Sequence, residues 1–500
     1  MLEVCKRLFS QWNSNNVKYC HWKSNEHLMA GLDGETDLDV YVAPSSKAMA
    51  ETLLAECQYK ECHTQEWHQY PDVFEWIGFD QATGRLVHVH LHYRIITGTK
   101  FCKEYVFPID DLIISSRIID PATNVYVTNP DLEIIILYSR IALKAKKKQA
   151  IRAGKSDCRE IEYLKERIHA ETVKELCVQL MGERGGEFFD LIMKGNLSSP
   201  EWYGVFRIAS GWLKPYRRYS KWHVFLRHHY YKLIDLFLYA ANKKYGCYYI
   251  NKKTLPGHSV SICLIGQDGS GKSTLTIELC KWLNWKLAAH RFYLGSGDHY
   301  NGFLKRVISK GVKFKRHIEK PKSADAGAGT KSAPVKRKKN LKNLGPALIV
   351  AKNRLNIARR AYKEVLRSEK YRKKGAIPLF DRFPQNQFEG IYDGPKIAET
   401  YRANGLDYGL VKYMAKREQR YIEKIQKFQP RLVFKLMLSP EESIRRKPLE
   451  NFDAVARKHE ITKQLQFPNS TVHVVDATQD YQAELLLIKN EIWKSLIQNQ

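Results

Sequence analysis

The chain has no run of about 18 uncharged apolar residues, so no membrane-spanning helix is expected. Its ten cysteines are scattered; Cys57 and Cys62 are the closest pair, and Cys-x-x-Cys does not occur. That spacing argues against a zinc ribbon and a disulfide framework, and reduced thiols are the expectation. No internal repeat is visible. The first residues, Met1-Leu2-Glu3-Val4-Cys5-Lys6-Arg7, carry an early acid and no long apolar core. They do not read as a secretory signal, which leaves a cytoplasmic or membrane-peripheral location as the expectation. Acids are also scarce: 53 Asp and Glu face 82 Lys and Arg, a formal charge of +29. Such an imbalance attracts anions, whether nucleotide, nucleic acid, lipid headgroup or acidic polymer.

What is present indicates a globular protein, with 44% hydrophobic and 12% aromatic residues. A chain of 500 residues exceeds one compact core, and about two to four domains are expected. The most informative stretch is Gly266-Gln267-Asp268-Gly269-Ser270-Gly271-Lys272-Ser273-Thr274. An apolar, β-branched run from Val260 to Ile265 precedes it. A helical pattern with Leu275, Leu279, Trp282 and Leu283 on one face follows. Strand, loop and helix are in the order a phosphate-binding loop requires. Glycines let the backbone lie against phosphate oxygens, and the helix N-terminus adds partial positive charge. Lys272 reaches the β/γ-phosphates, and Ser273 offers a hydroxyl to Mg²⁺.

Asn251-Lys252-Lys253-Thr254-Leu255-Pro256-Gly257 marks a linker before this loop. After it, apolar runs at 292–294, 377–380, 432–438 and 472–475 alternate with helical patterns such as 347–370 and 400–427. With the first strand these make five, and the alternation predicts a parallel sheet covered on both faces. Between Lys305 and Lys342 the chain holds 14 Lys or Arg against Glu319 and Asp325. This basic insertion, set at 305–345, reads as a solvated loop or as an arm for a polyanion or membrane surface.

Three further steps complete the candidate site. Asp381-Arg382 ends the third expected strand, where an Asp can hold the Mg²⁺ shell and an Arg can bind a phosphate bidentately. Ser439-Pro440-Glu441-Glu442 opens a capped helix leading to Arg445, Arg446 and Lys447, a cationic lid that can stabilise charge on the γ-phosphoryl oxygens. Val475-Asp476-Ala477-Thr478-Gln479 ends the fifth strand, where Asp476 and its neighbours can hold adenine. These motifs, in this order over about residues 257 to 500, resemble the thymidylate-kinase-like P-loop kinases of the nucleoside monophosphate kinase group. The resemblance implies ATP and Mg²⁺ as cofactors, with Gly266, Gly269, Ser270, Gly271, Lys272, Ser273 and Thr274 at the nucleotide. It places Asp268 facing the acceptor, Arg382 on the acceptor's phosphate, and Arg445 and Arg446 in the lid. A thymidylate kinase has a Glu-Pro-Gly-like step after its second strand. This chain has Gly295-Ser296-Gly297-Asp298 there, which argues against thymidylate and for another phosphorylated compound or a sugar, with Tyr392-Asp393-Gly394-Pro395 as a candidate contact.

Residues 1–110 read as a small α+β unit, with strands at 38–42, 73–77 and 86–93 and a hairpin turn at Asp80-Gln81-Ala82-Thr83-Gly84. Ser24, then Asp37-Leu38-Asp39 at a strand start, resembles nucleotidyltransferase-fold proteins. Carboxylates at i and i+2 of a strand point the same way, so Asp37 and Asp39 can share Mg²⁺ while the Ser24 turn cradles phosphate. The family's Gly before that Ser is Lys23 here. Its third carboxylate gives way to His88-Val89-His90-Leu91-His92. Those imidazoles could complete a transition-metal site or contact phosphate, or the fold could be non-catalytic. Helical periodicity dominates 111–250, and the basic, aromatic stretch 212–245 suits a membrane surface, nucleobases or a packed interdomain helix. The arrangement as a whole resembles proteins encoded with bacterial surface-polysaccharide genes. It implies a kinase acting on a small-molecule or glycan acceptor, while the charge keeps open a nucleic-acid-binding ATP switch.

Overall fold

A computed structural model describes residues 1–144, 152–245, 250–295, 344–403, 409–448 and 451–498. The basic insertion lies outside the described residues, except for its last two positions, as do Ser296, Gly297 and Asp298. The chain divides into two compact units, Met1–Pro256 and Gly257–Gln500.

In the first unit, nine strands are described: β1 (Tyr19–His21), β2 (Asp37–Val42), β3 (Lys60–Cys62), β4 (Val73–Phe79), β5 (Leu86–His92), β6 (Ile96–Thr97), β7 (Tyr105–Val106), β8 (Ile118–Ile119) and β9 (Tyr126–Val127). Seven form one mixed sheet in the order β3-β4-β5-β2-β1-β9-β8, and β6 pairs with β7. The sheet therefore takes in residues as late as Val127, past the 110 boundary read from sequence. Alternation sorts its two faces. Leu38, Val40 and Val42 of β2 and Val87, Val89 and Leu91 of β5 are buried with Leu8, Phe9 and Trp12 of the helix Glu3–Ser14. The opposite face presents Asp37 and Asp39 beside His88 and His90, which β2 and β5 pair in parallel register. Antiparallel β4 adds Glu75 opposite His90. Helices follow from Pro130 onward, sharing a core that contains Tyr138, Phe188 and Trp202. The basic, aromatic stretch ends in the helix Lys221–Tyr245. Its single acid, Asp235, accepts a hydrogen bond from Trp67 Nε1, while Trp222, Leu226, Leu233 and Phe237 are exposed.

In the second unit, β10 (Ile262–Gly266), β11 (Ala289–Tyr293), β12 (Ile377–Asp381), β13 (Leu432–Met437) and β14 (Thr471–Asp476) form an all-parallel sheet in the order β11-β12-β10-β13-β14. All five strands expected from the sequence are present. Residues of β10, β12 and β13 are almost wholly buried, as near-continuous apolar runs covered by helices require. The expected helix at 347–370 is Leu344–Lys373. The pattern at 400–427 holds two helices, Ile397–Ala403 and Gly409–Gln426, with 404–408 outside the described residues.

Phe434 is 0% exposed in β13, between β10 and β14. Phe434→Ala should cost about 3–5 kcal/mol of stability, read as a lower midpoint for the second unit in chemical denaturation.

Candidate functional site

The strand order puts β10 between β12 and β13, so the loop that follows β10 lies where the ends of three strands meet. Its backbone demands glycine. A Cβ on Gly266 would approach Leu436 O to 2.5 Å, and Gly269 and Gly271 have φ of +87° and +79°. The helix Lys272–Leu283 starts at the lysine itself, with Ser273 and Thr274 exposed on its first turn. Lys272 is 7% exposed and donates from Nζ to Gln267 O at 2.5 Å and to Ser270 Oγ at 3.4 Å. Burial, and then the nearby Arg382, push its ammonium down to about 8.

Asp268 is the hub of the arrangement. Its Oδ1 lies 3.3 Å from Arg382 Nη2, and its Oδ2 pairs with Lys458 Nζ. Burial raises the carboxyl, yet Lys458 outweighs it and holds Asp268 below the usual carboxylate range. Its backbone carbonyl accepts from Ser443 Oγ at 2.7 Å, tying the loop to the helix Pro440–Arg446. Arg382 stands at φ +72° just beyond β12. Tyr392 and Asp393 also have positive φ, +48° and +55°. Non-glycine residues in that region carry strain, which concentrates at functional sites. Asp381 is fully buried. Its Oδ2 accepts from Arg291 Nη2 at 2.5 Å, and its Oδ1 has no hydrogen-bond partner.

The expected lid divides. Arg446 donates to Gly269 O at 3.4 Å and to Ala477 O at 3.1 Å, so it bridges the loop and the turn after β14. Glu442 pairs with both guanidiniums, but Arg445 is 78% exposed and reaches neither the loop nor that turn. Asp476 spends its Oδ1 on Thr478 N and Oγ1, at 2.9 and 2.7 Å, so it shapes the turn that carries Ala477. Lys458 and Arg291 were not singled out in the sequence. Lys458 sits mid-helix in Phe452–Gln464 among other charges, and no local pattern marks it. Arg291 alternates along β11 towards the neighbouring Asp381, a signal available only once the strand order is known.

In the first unit, Asp37 and Asp39 share a face, as their spacing predicts. The Ser24 turn differs from the expected phosphate cradle. Ser24 N donates to Glu160 Oε1 and Asn25 N to Glu133 Oε1, both at 3.1 Å, so carboxylates already satisfy these donors. Lys23, in the place of the family's glycine, puts Nζ 2.8 Å from Asp39 Oδ1. His88 bridges Asp37 and Glu75 at 2.7 and 2.6 Å.

No family model matches the chain. It is 28% identical over 223 residues, 44% of this chain and 81% of the relative, to the uncharacterized ATP-binding protein YghR of Escherichia coli strain K12. It is likewise 28% identical over 222 residues, 43% of this chain and 84% of the relative, to the uncharacterized ATP-binding protein YghS of the same strain. Among solved structures, deoxyadenosine kinase from M. mycoides with bound dCTP aligns at 17% identity and a TM-score of 0.27, covering 46% of this chain and 98% of that one.

The buried ammonium of Lys272 gives a pH signature. In the folded protein it loses its proton near pH 8, whereas an unfolded lysine keeps it to about 10.5. Between those values the unfolded chain binds more protons, so raising the pH stabilises the fold. Lys272→Met should be more stable than the parent at pH 7, with the gap closing towards pH 10, measured by denaturation of the nucleotide-free protein.

Proposed function

We propose that the second unit is a Mg-ATP-dependent phosphotransferase that passes the γ-phosphoryl group of ATP to a small-molecule acceptor. One observation carries the reading. The glycine-demanding loop between β10 and the helix Lys272–Leu283 is joined through Asp268 to Arg382, at the carboxyl end of the adjacent strand β12. That adjacency supports reading the two as the donor and acceptor sides of a phosphoryl-transfer site. The names of the relatives YghR and YghS, both ATP-binding proteins, support the donor half.

In this reading the loop amides of 269–273 and the Lys272 ammonium hold the β- and γ-phosphates. Arg446, already over Gly269, donates to γ-oxygens as charge grows on them, and Arg382 orients the acceptor through its guanidinium. An acceptor oxygen attacks the γ-phosphorus, the bond to the β–γ bridging oxygen breaks, ADP leaves with that electron pair, and the proton of a hydroxyl acceptor passes to solvent. Asp268 keeps Arg382 and Lys458 aimed at one place. The buried, unpartnered Oδ1 of Asp381 and the exposed Ser273 hydroxyl suit Mg²⁺, a hard cation that takes oxygen donors and waters. When bound, that ion would neutralise phosphate charge.

A small cleft lies next to the step after β12. Leu294, Ile357, Ala361, Pro384, Ile422 and Ile425 line it, with the cations Arg354 and Lys396 and the acids Asp393 and Glu418 at its polar edge. Its mixture of apolar and charged groups supports a phosphorylated compound or a sugar derivative as the acceptor class. The resemblance to proteins encoded with surface-polysaccharide genes keeps a glycan precursor within that class.

Labelled ATP, incubated with nucleoside monophosphates, nucleosides, sugars and sugar phosphates, tests the reading directly. One acceptor class should gain label with the parent chain and none with Lys272→Ala, whose circular dichroism should match the parent. Unchanged turnover in Lys272→Ala would sink the proposal. The lid makes a sharper demand: Arg446→Ala should lower kcat by about 10²–10³-fold, and Arg445→Ala should leave it within a few-fold. Equal effects of the two would remove Arg446 from its assigned role.

A further inference from the structure

We propose that the first unit binds one transition-metal ion, zinc-like in preference, through Asp39, His90 and His92. Strand geometry brings the three together. His90 and His92 lie at i and i+2 on β5, and β2 sets Asp39 opposite His90 in parallel register. All three donor atoms lie within 4.8 Å of one another. His90 Nδ1 is 3.4 Å and His92 Nε2 is 3.5 Å from Asp39 Oδ1. A charge-assisted hydrogen bond would draw such groups to about 2.7–2.9 Å. Donors sharing a tetrahedral ion at about 2.0–2.1 Å would instead stand roughly 3.3 Å apart, close to the separations seen.

His92 adds an independent observation. It is 7% exposed, and neither ring nitrogen has a hydrogen-bond partner, although Nε2 faces the carboxylate. Burying both nitrogens unpaired is costly unless something else satisfies one of them. His90 is also prepared. Its Nε2 contacts Glu75 Oε2 at 2.8 Å, the carboxylate-to-imidazole support that orients a metal-binding histidine through its other nitrogen. Two imidazoles and one carboxylate favour a borderline-soft ion and leave a fourth position open, whereas Mg²⁺ prefers oxygen donors. The set therefore departs from the carboxylate-only site that the nucleotidyltransferase resemblance implies at Asp37 and Asp39. The competing cation is Lys23, whose ammonium holds the same Asp39 oxygen at 2.8 Å and must swing away as the ion enters.

Equilibrium dialysis of the full chain against Zn²⁺, with Co²⁺ as a visible-absorbing probe, tests the site. One ion per chain is expected, with a Co²⁺ spectrum of nitrogen and oxygen ligation that lacks thiolate charge transfer. Asp39→Asn and His92→Gln should each lose it, and circular dichroism should confirm that both remain folded. Lys23→Met, which need not disturb the buried strands, should bind at least about tenfold more tightly because its ammonium no longer competes. A parent chain that takes up no ion overturns the proposal, because the lysine would then be a permanent lock. So does a thiolate-type spectrum, or binding that survives in both Asp39→Asn and His92→Gln.

Discussion

The carboxylate of Asp268 is the contact on which the second unit's site depends. It belongs to the phosphate-binding loop, yet its two oxygens are divided between Arg382, beyond β12, and Lys458, on the helix Phe452–Gln464. Its backbone oxygen is held by Ser443 of a third element. Without that one negative group, Lys272, Arg382 and Lys458 would face one another across a partly buried space, each raising the cost of the others' charge. The ammonium of Lys272 is depressed first by burial and then by Arg382, and Asp268 and Asp381 offset only part of that cost. In the proposed reading a polyphosphate supplies the missing charge, so the site's electrostatics and its backbone geometry support the same ligand.

The two units handle buried charge in opposite ways. In the second, cations outnumber the acids around the loop, and Arg446 spends two of its donors on backbone carbonyls. These two are weak claims that a stronger acceptor can displace, while an ion pair with Glu442 at 2.8 Å holds the guanidinium in place. In the first, acids and bases close upon one another: Lys23 on Asp39, His88 between Asp37 and Glu75, and Glu133 and Glu160 on the Ser24 turn. Glu133 illustrates the cost, since burial pushes its carboxyl up to about 7 even though two hydrogen bonds from Asn25 favour its charge. A triphosphate arriving there would first have to displace carboxylates from the very amides expected to hold it.

Much of the second unit was legible because its signals are local. Gly266, Gly269 and Gly271 are required by backbone conformation and close approach, the five strands are apolar runs, and Ser439 with Pro440 opens a helix whose cap the structure contains. The limits came where partners are distant in sequence. Arg445 and Arg446 are adjacent and chemically identical, and only the helix's rotation decides that one meets Gly269 while the other meets solvent. Lys458 lies 190 residues from the acid it pairs with. In the first unit the pairing of Asp37 and Asp39 on one face followed from period two, but the sheet's extension to Val127 did not. β8 and β9 are two-residue strands, too short to show a period.

His92 shows how the same local rule can hide a function. Its place in the alternation His88-Val89-His90-Leu91-His92 predicts only that three imidazoles share a face. The structure separates them by partner: His88 is held by two carboxylates, His90 is supported by Glu75, and His92 has no hydrogen-bond partner at either nitrogen. The aromatic surroundings sharpen the difference, since Trp22 packs edge-on against the His92 ring at 5.2 Å and helps keep water from it. A buried ring whose nearest polar contact is a carboxylate 3.5 Å away has lost hydration with little compensation from the protein. It is therefore where the face is most open to gain from a bound ion, and where the lysine at Asp39 opposes that ion most directly.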